Sequence, residues 1–165
     1  MEKRLEIRNL SKSFGRKGYE TPVLRNIQMD VYEGDFIAIM GPSGAGKTTF
    51  LNLLSTLDTP TQGEIFLDGQ EITKMKNKEL SILRRDKIGF IFQGFNLIPS
   101  LTAVENVELP LVYRGMKKDE RNKLALEALE RVGLSHRLDH LPKQMSGGQQ
   151  QRVAIARAVA ARPPI

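Results

Sequence analysis

The 165 residues contain no cysteine, no tryptophan and only two histidines. The missing thiols exclude disulfides and every thiolate metal site. No apolar stretch approaches the ~20 residues needed to cross a bilayer, so no direct membrane insertion is expected. The opening Met1-Glu2-Lys3-Arg4-Leu5-Glu6 has no apolar signal core, and with the lack of cysteine this predicts a cytoplasmic protein. Disorder does not fit a chain that is 40% hydrophobic and 27% charged. The net charge of +6 raises nucleic-acid binding as a class. The basic residues are spread along the chain, however. Their densest cluster, Arg84-Arg85-Asp86-Lys87, is broken by an acid and has no interleaved aromatics. No nucleic-acid partner is expected, and the charge suits a solvated surface near an anionic cytoplasmic leaflet.

What the chain does have is Gly41-Pro42-Ser43-Gly44-Ala45-Gly46-Lys47-Thr48, which fills every fixed position of G-x-x-x-x-G-K-[ST]. The glycines let successive backbone N–H groups turn inward toward phosphate oxygens. Lys47 is placed to reach the β- and γ-phosphates, and the Thr48 hydroxyl to bind magnesium. The context has the order this chemistry needs. Asp35-Phe36-Ile37-Ala38-Ile39-Met40 predicts a buried parallel strand, and Thr49 onward to Leu54 predicts a helix whose N-terminus faces the phosphates. Gly41 through Thr49 are therefore the candidate binding run for ATP and magnesium.

Elsewhere, alternation predicts strands at Leu5–Arg8, Val23–Val31 and Glu64–Leu67, with turns at Glu33-Gly34, Pro60–Gly63 and Asp68-Gly69. The apolar Ile88–Phe92 predicts another buried strand. Beyond it the pattern turns helical. Thr102 and Glu105 have the spacing of a capping box, and Pro110 is expected to interrupt or kink that helix. Lys117–Val132 is the clearest helix, with Leu124, Ala125, Ala128, Leu129 and Val132 on one face and Gly133 as its stop. A last helix is expected over 148–161, ended by Pro163-Pro164.

Met145-Ser146-Gly147-Gly148-Gln149-Gln150-Gln151-Arg152 is the second signal. A serine and two glycines opening a helix offer amides, a hydroxyl and a helix dipole to an anion. Following a phosphate loop, this segment closely resembles the signature of the nucleotide-binding subunit of ABC transporters, usually L-S-G-G-Q. Met145 replaces the leading leucine at conserved volume. Ile91-Phe92-Gln93 with Asn96-Leu97 resembles that family's Q-loop, and Leu10-Ser11-Lys12-Ser13-Phe14 its A-loop. The stretches 85–93 and 106–111 are similar to the lipoprotein-release, macrolide-export and antimicrobial-peptide-resistance subgroup.

The resemblance spans essentially the whole chain and implies an α/β fold: a P-loop NTPase of the ABC ATPase type. It implies an N-terminal antiparallel β subdomain, an inserted α-helical subdomain, and a core sheet lacking its C-terminal part. As a single nucleotide-binding domain it divides into a β subdomain and phosphate-loop core (1–93), a helical subdomain with the signature (94–157) and a lead-out (158–165). It implies Phe14 as the adenine-stacking aromatic, with Tyr19 the competing candidate. Gln93 would sense magnesium and the attacking water, and face a membrane permease partner. It also implies a homodimer that sandwiches two ATP molecules. Lys47, Thr48 and Gln93 then act in cis, and Ser146, Gly148 and Gln149 in trans, with Gly147 also among the nucleotide-binding residues.

The chain departs from the family in one respect. The family's next segment is an apolar strand ending in Asp-Glu, followed by a switch histidine. No run of four apolar residues ending in Asp-Glu occurs in these 165 residues. His136 and His140 precede the signature and are read as surface residues of a loop or short helix. The expectation is an ATP hydrolase in a longer parent protein, with this chain by itself inactive in hydrolysis. A non-catalytic nucleotide-binding module is the alternative. A chromosome-type ATPase of the same superfamily needs a long coiled-coil insertion. Gln93 and Ser146 are only 53 positions apart (146 − 93), which excludes that insertion.

Overall fold

The structure, a computed structural model, describes residues 2–16 and 18–165. The chain divides into two units, residues 1–81 and 82–165.

In the first unit, β1 (Lys3–Phe14) is central. It pairs antiparallel with β2 (Thr21–Tyr32) on one side and β3 (Gln62–Leu67) on the other. The short β4 (Gln70–Glu71) lies against β3, giving the order β2-β1-β3-β4. Period-two alternation sends Leu5 and Ile7 to the same buried face as Ile65 and Leu67, with Ile7 opposite Ile65 in register. Helix α1 (Lys47–Leu54) buries Phe50 and Leu53, three residues apart and so on one face. Burial of each such side chain contributes ~1.5–3 kcal/mol. A groove of ≈ 330 Å³ runs between Leu24, Ile27 and Met29 of β2, residues 37–40, and Phe50.

Two expected buried strands are not formed. Residues 35–40 have no ladder partner among the described residues. Phe36 is 98% and Met40 89% exposed, so much of the apolar segment is uncovered. Residues 88–92 likewise carry no ladder, and Ile91 is exposed. A strand is defined by its neighbour's hydrogen bonds, and an apolar run alone supplies none. The turn at Glu33-Gly34 does form, with the Asp35 carboxylate accepting the Tyr32 amide at 2.7 Å.

Helix α2 (Asn77–Lys87) crosses the division between the units and was not foreseen; it buries only Leu80 and Leu83. The second unit is helical. Helix α3 (Ala103–Tyr113) begins at Thr102, whose hydroxyl and Glu105 form the expected capping box. It runs on through Pro110 for three more residues rather than ending there. Helix α4 (Lys118–Arg131) and helix α5 (Gly147–Ala160) complete the set. Their shared core is Ala103, Val107 and Leu111 of α3, Ala125, Ala128 and Leu129 of α4, and Val153, Ala156 and Ala160 of α5. The predicted apolar stripe of α4 is thus core packing.

One side chain gathers three helix ends. Arg114, the C-cap of α3, donates to the Arg85 and Asp86 carbonyls in the last turn of α2, at 2.9 and 3.0 Å. It also donates to the Ala161 carbonyl at the end of α5, at 2.6 Å. A cation at three carbonyl-rich helix termini is favourable with each dipole. Nearby, the Gly89 amide donates to the Ile165 carbonyl at 2.7 Å, and the Ile165 amide to the Lys87 carbonyl at 3.3 Å. This is the bonding of one parallel rung.

Candidate functional site

The phosphate-loop residues lie together in the first unit. The chain leaves β2 through the Glu33-Gly34 turn, passes along 35–40 and closes a turn in which the Ala45 amide donates to the Pro42 carbonyl at 3.2 Å. Gly46 is the N-cap of α1, with φ +86° in the left-handed region. A Cβ there would lie 2.9 Å from Leu24 Cδ2 and 3.0 Å from Val23 Cγ1. Conformation and space both demand glycine. The helix has no side-chain cap and no acid in its first turn, so its first amides and dipole face outward unneutralised. Lys47 arches back across the loop, its Nζ donating to the Gly41 and Pro42 carbonyls at 2.8 and 2.7 Å. Gly44 is left-handed at φ +80°, with nothing within 4 Å of an added Cβ. Gly41, Pro42, Ser43, Gly44, Ala45 and Thr48 are exposed, and Thr49 is half-buried.

The donor set is one ammonium and a fan of amides, which fits a polyanion. Magnesium is different. No cluster of three or more His, Asp or Glu residues suited to a metal exists among the described residues. The Thr48 hydroxyl is a single oxygen ligand, so the site fits a magnesium ion carried in by phosphate oxygens rather than one held by protein alone.

The two aromatic candidates also lie in this unit. Phe14 ends β1 with its ring about half exposed, and the Lys12 ammonium sits 4.9 Å from its ring centroid. Lys12 is itself buried. It is held by the Asp58 carboxylate at 2.8 Å and the Thr59 carbonyl at 2.7 Å. Burial pushes the Asp58 carboxyl up. The Lys12 hydrogen bond, the Thr59 amide and the Lys12 charge outweigh it, and Asp58 is held below its ordinary value. Tyr19 is almost fully exposed. Phe14 thus has a fixed support and Tyr19 a solvated one.

The signature residues lie in the second unit. Ser146 is the N-cap of α5. Its hydroxyl accepts the Gln149 amide at 3.3 Å, while the Gln149 side-chain oxygen accepts the Ser146 amide at 3.0 Å. The cradle expected to be open is therefore partly closed on itself. Gly147 and Gly148 have no left-handed φ and nothing within 4 Å of an added Cβ. Neither conformation nor packing requires glycine at these two positions. Met145 is buried in the helical core, as a leucine would be.

Gln93 lies in the second unit too, exposed, in a turn. Two residues that the sequence reading missed hold the segment after it. Arg157 of α5 donates to the Phe95 and Asn96 carbonyls, both at 2.7 Å. Asn106 of α3, fully buried, accepts the Ile98 amide at 2.8 Å and donates to the Leu101 and Thr102 carbonyls at 2.9 and 3.0 Å. A polar residue on a core-facing helix position was the available signal for both. His136 is exposed in a loop, whereas His140 is half-buried, its Nε2 2.9 Å from the Arg137 guanidinium.

The comparisons with known proteins agree with this arrangement. The ABC transporter family matches residues 24–165. An uncharacterized ABC transporter ATP-binding protein of Methanocaldococcus jannaschii, MJ0796, is 51% identical over 165 residues, covering 98% of this chain and 70% of that protein. A macrolide export ATP-binding/permease protein, MacB of Marinobacter nauticus, is 47% identical over 155 residues, covering 94% of this chain and 24% of that one. The solved dimer of the MJ0796 cassette in a post-hydrolysis state, bound to ADP and Pi, superposes with a TM-score of 0.91 at 48% identity. It covers 96% of this chain and 70% of that chain.

Proposed function

This chain belongs to the ABC transporter family, and from that premise we propose that its two units carry complementary halves of an ATP site in a transporter's ATP-binding subunit. The subunit couples nucleotide binding to export or extraction of a substrate through a membrane permease. The observation that carries the reading is Lys47, bridging two loop carbonyls at the uncapped start of α1.

Each residue has a stated task. The amides of Gly44 to Thr48 and the Lys47 ammonium bind and orient the β- and γ-phosphates. Thr48 would hold magnesium through its hydroxyl, and Gln93 would sense magnesium and the attacking water. The charge neutralisation that magnesium would supply there favours phosphate binding. Phe14 or Tyr19 offers a ring face to adenine. Ser146, Gly147, Gly148 and Gln149 belong to the opposite copy's site in a homodimer, so neither half alone satisfies the phosphate charge. The subunit sits at the cytoplasmic face of the membrane against its permease. No described helix is long and apolar enough to cross a membrane. No Asp-Glu follows an apolar run in these residues, so by themselves they bind ATP without turning it over.

Titration of the chain with magnesium–ATP tests the reading. The wild type binds, and Lys47→Ala weakens binding by at least ~100-fold, the loss of a charge-assisted contact. A wild type that does not bind, or an alanine variant that binds equally while folded, overturns it. Phosphate release by the 165-residue chain alone would overturn the claim about hydrolysis.

A further inference from the structure

Arg157 plays no part in the phosphate chemistry above. It stands in the last turn of α5, among the buried Val153, Ala154, Ala156 and Ala160. An arginine there is costly unless its donors are satisfied. Its partners are two carbonyls, Asn96 through Nη1 and Phe95 through Nη2. No ion pair of Arg157 is seen among the described residues. Burial lowers the affinity of its guanidinium for the proton, so a half-buried cation is held against a backbone turn.

That turn is unusual. Phe95 has φ +62° and Asn96 φ +48°, two successive non-glycine residues in the left-handed region. Asparagine tolerates this conformation, but a bulky phenylalanine does not. Such strain persists only where the surroundings over-determine it. The planar guanidinium fork does so here, bonding both carbonyls at once. Downstream, Asn106 pins Ile98, Leu101 and Thr102 to α3. The segment from 95 to 102 is thus bracketed at both ends, and Gln93 projects just upstream of the bracket.

The same helix that carries the bracket starts at Ser146. Ser146 and Arg157 are separated by about 16 Å of continuous helix, eleven residues at ~1.5 Å each. We propose that Arg157 is a positioning residue that locks the Gln93 turn to the signature helix, so that Gln93 and Ser146 move as one body. The inference rests on the roles proposed above for Gln93 and Ser146. In a sandwich of two copies it makes the rod α5 the link between the two nucleotides: one end serves the partner's site and the other sets the Gln93 of its own.

The test uses the full 165-residue chain with Arg157→Met and Arg157→Lys. Amide hydrogen exchange at residues 93–97 rises about tenfold in the methionine variant, while amides of β1 and α4 keep their rates. Lysine, which cannot span two carbonyls with a planar fork, gives an intermediate rise. If the methionine variant does not fold, lysine carries the test. The second readout separates positioning from mere structure. Arg157→Met loses about fivefold of the ATP affinity that magnesium confers, the worth of one contact, and leaves affinity in a chelator unchanged. Gln93→Ala shows the same loss, and the double variant is no worse than either single one. Unchanged exchange at 93–97, an intact magnesium gain, or additive losses would each overturn the proposal. A wild type that binds no ATP would overturn the proposed function, and the exchange measurement alone would then decide whether Arg157 holds the turn.

Discussion

The two glycine-rich helix starts, at Gly46 in the first unit and Ser146 in the second, differ in what satisfies them. Helix α1 begins bare: its N-cap is a left-handed glycine with no side chain to accept an amide. Helix α5 begins closed, with Ser146 and Gln149 capping each other. The first leaves its donors to an anion. The second is capped by its own residues without any ligand. Their glycines differ as well. Gly46 is required by its own chain, through φ and the side chains of Leu24 and Val23. Nothing in the second unit's packing requires Gly147 or Gly148. Glycine at Gly46 is explained by folding. At Gly148 nothing in the fold explains it.

The sharpest way to break this contrast is Gly46→Ala. It combines left-handed strain with a Cβ contact under 3 Å, and an expected loss of about 2–3 kcal/mol follows. Urea unfolding measures it, and a loss below ~0.5 kcal/mol would mean the glycine is not structurally required. Next comes Ser146→Ala, which removes the cap of α5 at a cost of about 1 kcal/mol. Exchange of the α5 first-turn amides reports it, and no change would show that the reciprocal cap contributes nothing. Gly148→Ala has the opposite sign to Gly46→Ala: replacing an unconstrained helical glycine should stabilise by about 0.5–1 kcal/mol. A destabilised variant would erase the distinction between the two loops. The smallest effect is on pH dependence in the first unit. Asp58 has a depressed pKa when folded, so its contribution is present above the ordinary carboxylate range and is lost as pH falls through the folded value. Lys12→Met should flatten stability against pH below about 4. An acid unfolding curve of unchanged slope would separate Asp58 from Lys12.

Legibility followed contiguity. The phosphate loop and the signature were readable because each is one unbroken run whose residue types follow from its chemistry. The capping box at Thr102 and the stripe on α4 were readable because they repeat at helical spacing. Helix α2 was missed because a surface helix with two buried leucines leaves little periodic signal. The runs 35–40 and 88–92 read as strands since apolar sequence reports a preference for burial and carries no information on which neighbour supplies the ladder. Arg157 reaches carbonyls 61 and 62 positions away, and Lys12 reaches a carboxylate 46 positions away. Such pairings exist only once the chain has folded.

The rung that joins Ile165 to Lys87 and Gly89 has a modular consequence. The helical body sets out from and comes back to a single spot, so its entry and exit are adjacent. A segment with adjacent ends is the easiest kind to transplant, since a host needs to bridge no distance. Replacing residues 90–164 with those of a relative would keep both sides of the rung in place, Lys87 and Gly89 on one and Ile165 on the other. Such chimaeras would let the signature helix be exchanged like a cartridge while the phosphate loop stays constant.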